Sequence, residues 1–153
     1  MQCRSGPRPR GFQNENGQAL IEAAIALPLL LLVLVGLFEL ALASYSSIEV
    51  TNAALAGVQY GTRNASTAAD TTGIQTAVAN DAGNLNLGTT SVSHSCICSD
   101  GSASTCQPTD CSGANIETIL TVQTQATFTP GFSIPGLPLN FTLHGQAVQK
   151  VLQ

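Results

Sequence analysis

Charge is scarce in this chain. Acidic and basic residues together make up 9% of its 153 residues, against roughly 25% in an ordinary soluble domain. Basic residues are rarer still beyond Ser44, where only Arg63 and Lys150 face Glu49, Asp70, Asp81, Asp100, Asp110 and Glu117. Neutralising phosphates needs a basic face, so a nucleic-acid partner is excluded. Histidine occurs only at His94 and His144. Neither lies in a nucleophile, metal or phosphate motif, and no glycine-rich phosphate loop is present. The C-x-x-C pair usual in zinc sites is missing as well, although His94 is available as an extra ligand beside the cysteines. These absences leave no recognisable catalytic constellation, so the chain reads as non-enzymatic, with no cofactor and no metal.

What is present is one long apolar run. From Ala19 to Ser44 the sequence reads ALIEAAIALPLLLLVLVGLFELALAS, 26 residues. As a helix this segment extends about 39 Å, enough to cross a hydrocarbon core of about 30 Å. Pro28 and Gly36 are tolerated in such helices. The Leu27 to Leu37 stretch has no polar face, which argues against a buried helix of a soluble domain. Arg4, Arg8 and Arg10 precede the run, so the positive-inside bias places the N-terminus in the cytoplasm and everything past about Ser44 outside. Cysteine usage agrees: Cys96, Cys98, Cys106 and Cys111 fall on the exported side, where disulfides persist, and Cys3 lies alone on the other.

Three kinds of targeting segment compete for this run. A secretory signal peptide has a basic start, a short apolar stretch and an A-x-A-like site, and Ala41-Leu42-Ala43 before Ser44 fits that last feature. The run is longer than such a stretch, however, and Glu22 and Glu39 interrupt it. A plain bitopic anchor accounts for the length but leaves Glu22, a costly carboxylate at a bilayer edge, without a reason. In the third reading, Gly17, Gln18 and Glu22 form a processing signal. Gly17 lets a protease bind the chain extended just before the helix begins. Cleavage there leaves a new amino group on Gln18, with an ordinary pKa of about 8, one helical turn from Glu22. Pairing of the two, within one chain or between neighbours, relieves the burial cost of both and sets the register of packed helices. Glu39, near the outer end, is expected to reach headgroups or water.

The residues that carry the third reading also carry a family resemblance. Gly17, Ala19, Glu22, Pro28, Glu39, Asn52, Ala53, Ala54, Gly57, Tyr60 and Gly61 together resemble TadE-like pseudopilins of tight-adherence (Tad) pilus systems. Ala23 stands where that family usually has an aromatic residue, and Leu55 and Gln59 stand where basic residues are common. The resemblance implies a prepilin-type protein cut after Gly17, with an assembly role for Glu22. It implies as partners a prepilin peptidase, an inner-membrane pilus assembly platform, other pilins or pseudopilins, and the lipid bilayer. The implied location is the bacterial inner membrane, single pass, with the C-terminal portion exported.

Past the membrane run, Tyr45 to Tyr60 is expected to continue as a stem helix. Val50, Ala54 and Val58 form a narrow apolar stripe, with Ile48 and Leu55 nearby. Ala53, Ala54, Ala56 and Gly57 allow close approach of another element. Arg63 to Ala69 reads as a linker, and Asp70-Thr71-Thr72 as the start of a short helix ending near Gly83. Thr89 to Ile97, Ile116 to Phe128 and the alternation from Leu139 to His144 read as strands, with turns at Thr129-Pro130-Gly131 and Ile134-Pro135-Gly136. Cys96 and Cys98 are too close to pair with each other, so each bonds to Cys106 or Cys111, in either combination. The expected fold is α+β: a long N-terminal transmembrane helix continuing into a stem and packed on a small antiparallel sheet with disulfides. Its divisions are residues 1–17 as basic leader, 18–44 as membrane helix and 45–153 as exported stem and β-rich domain.

Overall fold

The computed structural model describes residues 15–83, 85–107, 109–132 and 140–151. Helix α1 runs from Glu15 to Gly61, 47 residues with Pro28 inside it. It is followed by α2 (Ala65–Ala69), α3 (Thr71–Asp81) and strands β1 (Leu87–Cys98), β2 (Ala103–Ser104), β3 (Ile116–Phe128) and β4 (Phe141–Lys150). The chain divides into two compact units, Met1–Phe38 and Glu39–Gln153. Among the described residues the first unit consists of helix alone. The fold is α+β, with four antiparallel strands in the order β2-β1-β3-β4.

β3 shows why the sheet forms where it does. Leu120, Val122, Thr124 and Ala126 are buried, while Gln123, Gln125 and Thr127 between them are exposed. That period of two puts one face on the core and the other in solvent. On the covered face the core joins Ala53, Ala54 and Val58 of α1 to Ile74 and Val78 of α3 and to Leu120 and Val122 of β3. The stem stripe is therefore core packing: Val50, Ala54 and Val58 are fully buried, whereas Ile48 and Leu55 lie outside it and are exposed. Small residues set the helix-to-sheet distance. A Cβ on Gly57 would stand 2.5 Å from Val78 Cγ2 and 3.3 Å from Val122 Cγ1, so α1 approaches this closely only with glycine there.

Two elements differ from the expectation. The stretch expected as a linker contains α2, because Asn64 and Thr67 close a capping box. Thr67 N–H donates to Asn64 Oδ1 at 2.9 Å, and Asn64 N–H donates to Thr67 Oγ1 at 3.1 Å. A threonine in place of the usual Glu or Gln at the third helical position hid that signal. β2 was not expected at all; its two residues pair with Cys96 and Ile97 of β1. α3 starts one residue after the Asp70 cap, whose Oδ1 accepts from Gly73 N–H at 2.9 Å. β4 begins at Phe141, and the expected positions Leu139 and Ile134-Pro135-Gly136 lie outside the described residues.

Candidate assembly segment

The residues singled out in the N-terminal part separate into two groups with different surroundings. Gly17, Gln18, Ala19 and Glu22 belong to the first unit. Helix α1 already begins at Glu15, so Gly17 and Gln18 lie in its first turn, not in an extended stretch ahead of it. No proline stands there to stop the helix, and a glycine costs only about 1 kcal/mol. First-turn amides lack helical partners, so this end opens more readily than the helix interior. Gln18 and Glu22 are four residues apart and share a helix face. Both are exposed, and Glu22 makes no side-chain hydrogen bond or ion pair among the described residues. The apolar run around them finds no protein to pack on: Leu20 is 72% exposed and Leu32 70%. The helix is long and apolar enough to cross a membrane once, with mean hydropathy 2.7 over its most apolar window, none of which is buried.

The second group seats the stem. Ala53, Ala54, Gly57 and Gly61 are all buried. Tyr60 donates its hydroxyl to Asp70 Oδ2 at 2.8 Å, and the Arg63 guanidinium lies 5.6 Å from the Tyr60 ring centre. The Gly73 amide, and then the Tyr60 hydroxyl, hold the Asp70 carboxyl below its ordinary range. The same bond to Asp70 raises the Tyr60 phenol. This set needs no partner to explain it, because it fixes α1 against α3 and the sheet.

Glu39 departs from the expectation that it reaches headgroups or water. It is only 9% exposed, and its Oε1 accepts the Gly131 amide at 3.0 Å. The Gly131 amide, just past β3, reaches it in a long-range contact that no local pattern encodes.

The cysteines pair as Cys96–Cys106 and Cys98–Cys111, each β1 cysteine reaching into the following loop. Asp110 organises that loop by accepting from Ser104 Oγ, Thr105 N–H and Oγ1, and Gln107 N–H. His94 Nε2 lies 2.8 Å from the Ala68 carbonyl; a carbonyl only accepts, so that nitrogen carries the hydrogen. A groove of about 350 Å³ is lined by Glu49, Asn52, Leu55, Ala56, Gln59 and Asp81. Its polar lining is two carboxylates, Glu49 and Asp81, and two carboxamides, Asn52 and Gln59.

Sequence reasoning missed Thr124 and Gly145. Thr124 is fully buried and donates to the Val50 carbonyl at 2.8 Å. A hydroxyl in the middle of a buried strand face was the one signal available.

Residues 17–59 match the family model of TadE-like proteins. Comparison with curated proteins and with solved structures finds no match.

Proposed function

We propose that this protein is a TadE-like minor pilin or pseudopilin, a structural component in the assembly of a Tad-type pilus or related secretion filament. The observation that carries the reading is the TadE-like match over residues 17–59. That segment joins the exposed apolar run to the buried seat of the stem. In this reading residues 1–17 are a cytoplasmic leader, removed by a prepilin peptidase after Gly17. Residues 18–44 span the inner membrane, and residues 45–153 are exported.

The chemistry of the two groups fits that division of labour. An apolar helix with no protein cover is stable in lipid, or against identical helices in a filament. Cleavage after Gly17 leaves an ammonium group at Gln18 and a carboxylate at Glu22 on one helix face. Charges in an apolar setting gain most by pairing, and a pair shared between neighbours sets their axial stagger. The disulfides suit an exported domain. The protein acts by assembling with the platform and other pilins, not by catalysis.

The deciding experiment is the mature N-terminus of the protein purified from its host, read by mass spectrometry and allowing for cyclised Gln18. A start at Gln18 is expected. A start at Ser44 means signal peptidase released a soluble binding module, the reading favoured by Ala41-Leu42-Ala43, and the pilus reading fails. An uncut chain leaves a plain membrane-anchored binding module.

A further inference from the structure

Glu39 is the first residue of the folded unit, and its carboxyl group is half satisfied. Oε1 accepts the Gly131 amide, whereas Oε2 is buried and has no hydrogen-bond partner among the described residues. Buried polar atoms are nearly always paired, and one that is not lowers stability. A contact selected for stability alone would satisfy both oxygens or leave the second in water. The donor is also a slight one: a single backbone N–H, in the connection that follows β3. The approach is close, since a Cβ on Gly131 would stand 3.0 Å from Glu39 Oε1. Beside it Phe132 is exposed.

Resting on the pilin reading above, we propose that the Glu39–Gly131 contact is an autoinhibitory clasp. In the unassembled protein it withholds Glu39. On assembly the carboxyl group leaves Gly131 for an ammonium or guanidinium group on a neighbouring subunit, which engages both oxygens. A multiply donating cation is the chemistry that improves on Gly131, because it supplies the second bond that the clasp leaves unmade. The exchange keeps premature contacts from forming at this level of the helix, and it makes release of Gly131 a step in assembly.

Three variants of the full-length protein in its native membrane test this. Gly131→Pro removes the amide donor and, like Gly131→Ala, adds a Cβ beside Glu39 Oε1. It is expected to raise labelling of Glu39 by dicyclohexylcarbodiimide about threefold to tenfold, as losing one hydrogen bond of ordinary net strength shifts an opening equilibrium. It is also expected to raise filament yield. Glu39→Gln keeps an oxygen for Gly131 but places an NH₂ where the second acceptor stood. That variant should fold, form both disulfides and be cut at Gln18, yet fail to enter filaments. Unchanged labelling in Gly131→Pro, or normal assembly of Glu39→Gln, overturns the clasp. Gly131→Ala, which crowds Oε1 and keeps the amide, should fall between wild type and Gly131→Pro in labelling; labelling equal to wild type counts against the proposal. The mature N-terminus measured in the same samples separates the two failures. An uncut wild-type chain overturns the pilin reading, whereas unchanged labelling on a correctly cut chain overturns the clasp alone.

Discussion

Thr124 Oγ1 stands 2.8 Å from the carbonyl oxygen of Val50, so a hydroxyl in the middle of β3 donates to the backbone of α1 across 74 residues of sequence. Gly145 of β4 sits opposite Thr124 in the ladder. A Cβ there would fall 2.5 Å from the Val50 oxygen and 2.6 Å from Thr124 Oγ1. The hydroxyl and the missing side chain together fix how closely stem helix and sheet meet.

Gly145→Ala should destabilise the folded unit by about 1–3 kcal/mol, because backbone, not a flexible side-chain tip, has to move. Thr124→Val keeps the shape and loses the bond, for about 1–2 kcal/mol, while Thr124→Ser should recover most of that. Urea unfolding of the detergent-solubilised protein, followed by circular dichroism, orders the three variants.

The two disulfides should open in sequence. Cys106 is exposed and holds a backbone φ of 68°, a region that L-residues other than Asn and Asp seldom occupy. Such a conformation costs on the order of 1–3 kcal/mol, which opening the loop would relieve. Cys98, in contrast, is fully buried. Graded reduction followed by alkylation and mass spectrometry is expected to find Cys96 and Cys106 labelled before Cys98 and Cys111. The reverse order would show that loop strain does not govern access.

Acid should loosen the fold through its hydrogen-bonded aspartates. Asp70 is held low first by the Gly73 amide, Asp100 by the Ser102 hydroxyl and Asp110 by the Thr105 hydroxyl. A carboxyl lowered in the folded state contributes stability that is present above its unfolded pKa of about 3.9 and is lost as pH falls through the folded value. Melting temperature is therefore expected to hold steady near neutrality and drop below about pH 4. Asp70→Asn should flatten part of that drop. Tyr60 works in the opposite sense. Its pKa is raised by Asp70, so its contribution is present below about pH 10 and fades as pH rises through the folded value. Tyr60→Phe should abolish that alkaline decline.

Glu22→Ala should reach the membrane as well as wild type does, or better, since removing a carboxylate eases insertion. Under the pilin reading it is cut at Gln18 and fails to assemble. Assembly at wild-type levels would show that Glu22 is only a headgroup-level residue. Filament counts by electron microscopy and membrane fractionation give the two readouts.

Much of this architecture was legible because local patterns set it. The run from Ala19 to Ser44 has no polar face between Leu27 and Leu37, and no tertiary contact is needed to make it a helix. The β-branched, partly alternating stretch from Ile116 to Phe128 marks the strand. Asp70 before Thr71 announces α3 through a side chain that reaches its own N-terminal amides. Cys96 and Cys98, too near each other to pair, had to reach into the loop ahead.

What the sequence left open was decided by contacts between distant residues. The choice of Cys106 for Cys96 and Cys111 for Cys98 depends on a loop that Asp110 folds. The burial of Glu39 depends on Gly131, 92 residues away, arriving with a backbone amide. The need for glycine at 145 depends on the Val50 carbonyl lying over it. Hydrophobic period, caps and cysteine spacing act over a few residues and can be read along the chain. Close approach and the sharing of a buried polar group are properties of two surfaces in contact, and only the tertiary structure brings those surfaces together.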